Sequence, residues 1–237
     1  MIKEKKLKDL LDELQGIVNS LKVKLPKEAP LFISSSIDPL RILFLREACF
    51  HRITELSESA CDAFKKENLI TGYVLAQAVM EVSALFLYLI SAVQGALRDG
   101  DVEALKEILI RMFVGINSKK KLDSFEEIDG ARIFERVQNP ISVSVLMKYV
   151  TENLSSFKDL YDCFNEVAQP NTMNFIKAYV RGDRSKKMTY FGKEQGKLGG
   201  HLESDIQVLI SCLEDFMDIY NQFARLVVSF QGSAGLI

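Results

Sequence analysis

The sequence predicts an all-α protein, an up-and-down bundle of about five to six long helices with one long basic loop. Apolar residues recur at three- and four-residue spacing through most of the 237 residues, whereas the alternation typical of strands is scarce. Only 5 prolines and 13 glycines interrupt this pattern. Hydrophobic residues make up 48% and charged residues 26%, and the net charge of −2 excludes a chain-wide charge signature for nucleic acid or membrane.

Each predicted helix is bounded by residues that start or stop helices. The predicted helices are 3–23, 38–66, 69–98, 101–117, 142–168 and 201–230. Pro26 and Pro30 prevent the first from continuing, and Asp38-Pro39 opens the second because proline is tolerated in a first turn. Asp99-Gly100 ends the third helix, and Asp101 can cap the fourth.

The two last helices carry long apolar stripes. The alternation of three and four in 142–168 and 201–230 is typical of near-parallel helix packing, so it predicts either a bundle core or the seam of a homodimer. Residues 118–141 are polar and irregular, and 171–200 form the basic loop, in which the letters MTYF predict a short strand. We divide the chain into an N-terminal helix and linker (1–35), a bundle domain (36–230) and a tail (231–237).

Residues 73–97 could be mistaken for a membrane span. The stretch is long enough to cross a bilayer, but Glu81 lies in its middle and polar residues interrupt it. We therefore expect a central helix buried by protein, and no membrane contact. The charged N-terminus lacks an apolar signal region, and none of the 4 cysteines has C-x-x-C spacing, which predicts a cytoplasmic protein with free thiols.

A charged pair is predicted inside the bundle. At about 100° per residue, Arg46 falls in the middle of the apolar face of the second helix, and Glu81 lies among small residues on the third. Buried charges need partners, so we expect these two to meet, with Gln77 and Tyr88 nearby. Two interpretations stay open: an ion pair that fixes helix register, or a pocket for a small anionic ligand that also involves Asn171.

Arg46 and His51 are the only candidate catalytic residues. Arg, four residues, then His is a spacing that occurs in the motif of the HEPN ribonucleases, where the pair supports RNA cleavage. In a continuous helix, however, this separation places the two side chains about 140° apart, with His51 beside Glu47 on the polar side. The alternative is therefore an exposed surface histidine.

The end of the fifth predicted helix carries the most specific local signal, Tyr161-Asp162-Cys163-Phe164-Asn165-Glu166-Val167-Ala168-Gln169-Pro170-Asn171. It resembles a bacterial all-α domain family of unknown function, HEPN-like bundles whose helix ends in Ser-Glu-x-x-His-Pro-Asn and whose central helix carries Arg four residues before Glu. The resemblance covers roughly 40–228 and implies a degenerate member, with glutamines at both key positions. It implies a polar site built from Gln77, Glu81, Asn165, Glu166, Gln169 and Asn171. Gln169 cannot replace a histidine as general acid or base.

The basic loop is a candidate nucleic-acid contact. Its members are Arg181, Arg184, Lys186, Lys187, Tyr190 and Lys193. Basic side chains with interleaved aromatics can hold phosphates and stack bases. The alternative interpretation is a solvated loop with no ligand.

The absence of known catalytic motifs favours a binding protein. The sequence contains no phosphate-binding glycine loop, dinucleotide fingerprint or H-E-x-x-H, so we expect no cofactor and no metal. The favoured interpretation is a non-catalytic binding or interaction module that forms a homodimer. The alternatives are an HEPN-type RNA-binding protein or ribonuclease, and a protein with a small anionic-ligand pocket. RNA is a candidate partner, and no DNA signature is present.

Overall fold

The structure, a computed structural model, describes residues 2–28, 38–113, 141–153, 155–168, 176, 178–192 and 201–234. Its helices are α1 (Ile2–Lys24), α2 (Asp38–Lys65), α3 (Leu69–Asp99), α4 (Val102–Phe113), α5 (Val143–Asn153), α6 (Ser155–Ala168) and α7 (Leu202–Ala234). Two strands, β1 (Val180–Asp183) and β2 (Met188–Phe191), pair as an antiparallel hairpin. The all-α prediction is confirmed, and the MTYF strand is present as β2.

The predicted helix over 142–168 is described on both sides of position 154. The segment forms α5 and α6, and position 154 between them lies outside the described residues. Predictions that fall in 114–140 lie outside the described residues as well.

A tight connection joins α2 to α3 and sets their antiparallel packing. Glu67 adopts a left-handed conformation with φ 55°, and the Asn68 amide donates to the Ala63 carbonyl at 2.8 Å. The chain can then return directly along α2 because Gly72 has no side chain. A Cβ at Gly72 would lie 2.4 Å from Cε1 and 2.6 Å from Cδ1 of the buried Phe64 ring.

Gly72→Ala is expected to lower the free energy of unfolding by about 1 to 3 kcal/mol, because the added methyl group overlaps a ring that is packed on all sides. Gly95 lies in the same helix, and nothing is within 4 Å of its Cβ position. Gly95→Ala should instead stabilise the protein by about 0.5 to 1 kcal/mol through helix propensity. Urea unfolding of both variants checks this, and shifts of the same sign would contradict the packing argument.

Helix α3 is the central element. It contacts α2, α4, α5, α6 and α7. By length and composition alone α3 could also cross a membrane, with a mean hydropathy of 1.8 over its most apolar window. Its contacts with five other helices place it inside the bundle, and the expected lack of membrane contact stays a prediction.

The apolar stripe of α7 is buried within the chain itself. Phe216 and Phe223 from α7 pack against Phe86 of α3, with ring centroids 5.1 and 5.6 Å apart. Phe50 of α2 joins the same aromatic group, 4.4 Å from the Tyr220 ring. Of the two interpretations of this stripe, the structure shows an intrachain core, and the homodimer stays a prediction.

Candidate functional site

Arg46 lies in a polar contact between α2 and α7, against the Tyr220 ring of the aromatic core. Its side chain is 12% exposed, which agrees with its predicted place on the apolar face of α2. The guanidinium donates to Glu47 and lies 3.9 Å from the centroid of the Tyr220 ring. The Tyr220 hydroxyl donates to the second oxygen of Glu47 at 2.6 Å. The three side chains therefore contact one another and form what we call the Arg46–Glu47–Tyr220 cluster, although the buried Arg46 Nε has no hydrogen-bond partner among the described residues.

The predicted ion pair between Arg46 and Glu81 is wrong. Both residues are described, and the carboxylate beside Arg46 is that of Glu47, which was expected on the polar face but has a side chain only 18% exposed. The physical reason is Tyr220, which supplies a donor from α7 and holds Glu47 inward. Burial and the bond to Glu47 raise the pKa of Tyr220, so its phenol stays protonated and keeps donating.

Glu81 belongs to a second network, between α3 and α6. The Gln77 side-chain nitrogen lies 3.1 Å from a Glu81 oxygen, 3.0 Å from the Asn165 oxygen and 3.3 Å from the Tyr161 hydroxyl. Tyr161 donates to the same Glu81 oxygen at 3.2 Å. Burial raises the pKa of the Tyr161 phenol, and the Glu81 charge acts in the same direction. The arrangement fixes a carboxylate among neutral donors and joins the two helices.

Three of the residues implied by the resemblance, Gln77, Glu81 and Asn165, thus meet. Glu166 is exposed on α6, while Gln169 and Asn171 lie outside the described residues. Tyr88, expected near Arg46 and Glu81, packs instead against Tyr149, with ring centroids 5.2 Å apart. A side chain that the sequence did not single out for this site, Tyr161, completes the network.

His51 is exposed, as its position on the polar side of α2 predicts. Its Nε2 lies 2.9 Å from the Pro26 carbonyl, and it makes no contact with Arg46, which is occupied in the cluster with Glu47 and Tyr220. The structure therefore places the two candidate catalytic residues in separate surroundings. Cleavage by this pair remains a prediction.

The buried pair Tyr73–Asp205 was missed by sequence reasoning. The Tyr73 hydroxyl donates to Asp205 at 2.5 Å, and the two residues are 2% and 6% exposed. Asp205 lies in the first turn of α7, where acidic residues are ordinarily exposed. The signal was present, because Asp205 is four residues before Leu209 and eight before Leu213, on the buried stripe.

The described cysteines are not poised for chemistry. Burial raises the pKa of Cys49 to about 12 and that of Cys212 to about 11. Thiolates are the reactive and metal-binding form, so both side chains behave as small apolar groups near neutral pH. Among the residues that the structure describes, no group of three His, Cys, Asp or Glu side chains is placed to hold a metal ion.

The basic loop contains the hairpin, whose turn is ordered by Asp183. One Asp183 carboxylate oxygen accepts from the Ser185 amide at 3.0 Å, the Ser185 hydroxyl at 2.6 Å and the Lys186 amide at 3.2 Å. These bonds lower the pKa of Asp183. Lys187 completes the turn in a left-handed conformation with φ 52°. The one acidic group of the hairpin is therefore used for structure.

The two faces of the hairpin differ. Arg181 pairs with Tyr190 across the strands, and its guanidinium lies 5.9 Å from the ring centroid. The opposite face carries Phe191, which is 76% exposed. Exposed basic side chains occupy the turn, namely Arg184, Lys186 and Lys187. Lys193 lies outside the described residues.

No protein-family model, curated protein or solved structure matches the chain. The likeness to HEPN-like bundles therefore stays a prediction that depends on the motif residues alone.

Proposed function

We propose that this chain is a non-catalytic binding module that holds a phosphate polymer, RNA, on the β1–β2 hairpin. The observation that carries the proposal is the hairpin itself, where positive charge and exposed aromatic surface coincide. A homodimeric state and a cytoplasmic location belong to the same proposal and are predicted by the sequence only.

The charge of the hairpin is opposite to that of the chain. Its basic residues are Arg181, Arg184, Lys186 and Lys187. Its single acidic residue, Asp183, is occupied by hydrogen bonds from the turn. Four positive groups and one negative group give a local charge of +3 in a chain whose net charge is −2. Basic groups attract a polyanion by neutralising phosphates and releasing counterions.

The internal polar clusters support binding without chemistry of their own. Glu81 accepts hydrogen bonds from Gln77 and Tyr161, and Glu47 accepts from Arg46 and Tyr220. Both carboxylates are thereby used to join helices, which is a structural role. The hairpin, by contrast, directs its basic side chains to solvent.

A lipid surface fits the hairpin less well than RNA does. The tip that would enter a bilayer first carries Arg184, Ser185, Lys186 and Lys187. Phe191 lies at the base of the hairpin, four residues behind Lys187, and strands rise about 3.3 Å per residue. The aromatic side chain would therefore remain about 13 Å behind the charged tip, beyond the reach of acyl chains.

Replacing the three basic turn residues should abolish most of the binding. The variant is Arg184→Gln, Lys186→Gln and Lys187→Asn, with asparagine chosen because it tolerates the left-handed conformation. Its affinity for a fluorescent oligouridylate is expected to fall on the order of tenfold or more, and the dependence of log K on log salt should become shallower by about 2. Fluorescence anisotropy over a salt series measures both.

The matched control removes the same charge elsewhere. Lys106 and Lys148 lie on helix surfaces, and Lys66 lies in the turn after α2. All three form solvent-accessible ion pairs, and their triple replacement by glutamine changes the net charge equally. This control should bind the oligonucleotide as the unmodified protein does. Equal losses in both triple variants would show that net charge, rather than the hairpin, governs binding and would refute the proposal.

A further inference from the structure

We infer that the hairpin recognises the polymer as a single strand, by stacking an unpaired base on the exposed ring of Phe191. The inference rests on the proposed function and adds the ligand class, which is single-stranded nucleic acid. The protein would bind it both by stacking a base on an aromatic ring and by contacting phosphates. This inference follows from the shape of one hairpin face.

That face is formed by alternate residues of the two strands. Val180 pairs with Phe191 and Gly182 pairs with Thr189, so these four residues lie on one side of the ribbon. Phe191 is 76% exposed, although a large aromatic side chain is usually buried. We call the four residues the Phe191 face.

Gly182 keeps this face open. It is the diagonal cross-strand neighbour of Phe191, at a distance where side chains ordinarily touch. A Cβ at Gly182 would meet nothing within 4 Å. The position has neither the left-handed backbone nor the close contact that would demand glycine. Among the described residues, the missing side chain therefore leaves an open place beside the Phe191 ring, into which a flat base can fit.

The opposite face is already occupied. Arg181 lies across from Tyr190, with the guanidinium 5.9 Å from the ring centroid, and Tyr190 is partly buried. Arg181 is thus held beside the ribbon, where it can meet a phosphate. The bases have a free aromatic surface on the Phe191 face.

A single strand fits both features at once. In a duplex the bases stack on one another and expose edges only, whereas unpaired bases can splay onto an aromatic side chain. Lys187, the nearest residue of the basic turn, lies four residues before Phe191, which is about 13 Å along the strand. A single strand can therefore lay a base on Phe191 while its following phosphates meet Lys186 and Lys187. Stacking is tolerant of sequence, so uridine and thymidine oligomers should both bind.

The test fills the open place without removing any charge. Gly182→Val introduces a β-branched side chain that suits a strand and, with space around it, leaves the fold intact. Phe191→Leu removes the π-face and keeps an apolar side chain. Each is expected to weaken binding of oligouridylate and oligothymidylate by about fivefold to a hundredfold, whereas Phe191→Trp should retain binding. Binding of inorganic polyphosphate, which has no bases, should be unchanged in all three.

A control on the other face and a stacking signal complete the experiment. Met188 is 54% exposed on the Arg181 face, so Met188→Val should leave single-strand affinity unchanged. An oligonucleotide carrying 2-aminopurine should lose fluorescence on binding to the unmodified protein and regain it with Gly182→Val. Circular dichroism checks that each variant is folded.

The possible results separate the two proposals. Unchanged single-strand affinity in Gly182→Val and Phe191→Leu would overturn the stacking inference. The proposed function would still stand in that case if the basic-turn variant loses binding to every polymer. Equal weakening by Met188→Val would also overturn the assignment to the Phe191 face. An unmodified protein that binds neither polyphosphate nor oligonucleotide would refute both.

Discussion

Glu47→Ala is expected to lower the free energy of unfolding by about 3 to 5 kcal/mol. The change leaves the Arg46 guanidinium, 12% exposed, without its carboxylate, and removes the acceptor of the buried Tyr220 hydroxyl. A charge in a low-dielectric contact without a partner costs far more than the pair gains, so breaking the pair is worse than never having formed it. Urea unfolding followed by circular dichroism measures the loss.

A surface glutamate on the same helix serves as the matched control. Glu55 pairs with Arg52 at 3.3 Å, but both side chains are more than half exposed. Glu55→Ala should therefore cost less than about 1 kcal/mol. A loss comparable with that of Glu47→Ala would show that helix propensity, and not the buried cluster, dominates.

A double variant tests the mechanism. In Arg46→Met combined with Glu47→Ala, the unpaired charge is gone and an apolar side chain fills the space beside the aromatic core. The double variant should be more stable than Glu47→Ala alone. The variant Arg46→Met alone completes the comparison. If the stability losses of the two single variants add up to that of the double variant, the Arg46–Glu47–Tyr220 cluster does not act as a unit.

This cluster shows how far the sequence could predict a buried site. The place of Arg46 followed from helical periodicity, because position along one helix is a local property. Its partner did not follow, since neighbouring residues on a helix do not normally face one another. The contact with Glu47 depends on Tyr220, 173 residues later, and no local rule fixes that distance.

The other elements divide in the same way. The end of α1, the start of α2 and the end of α3 were predicted because prolines and Asp99-Gly100 act locally. The meeting of Gln77, Glu81 and Asn165 was implied by a motif resemblance, whereas Tyr161 opened the same segment and lay on an apolar stripe but matched no position of the motif. In the hairpin, the sequence MTYF predicted β2. The open space at Gly182 could not be predicted, because it depends on which residues of β1 and β2 lie opposite one another.

Alkaline solution is expected to destabilise the protein steeply, beginning near pH 9. Burial raises the pKa of Cys49 from its ordinary 9.0 to about 12, so the folded state keeps the thiol proton where the unfolded state has lost it. Stability is therefore fully present below pH 9 and is lost as pH rises towards the folded value. Each unit of difference between the folded and unfolded pKa corresponds to about 1.4 kcal/mol, so Cys49 alone contributes about 4 kcal/mol to the loss in the free energy of unfolding.

Cys49→Ala isolates the contribution. The variant starts less stable at pH 7, because a buried side chain is shortened, but its unfolding free energy should decline less between pH 9 and 11 than that of the unmodified protein. Urea midpoints measured under reducing conditions at pH 7, 9, 10 and 11 give both curves. A residual decline is expected in the variant, since the pKa of Cys212 is also raised, to about 11, and that of Tyr220 is raised by burial. Parallel curves would mean that Cys49 ionises as easily in the folded chain as in the unfolded one, and would contradict the prediction.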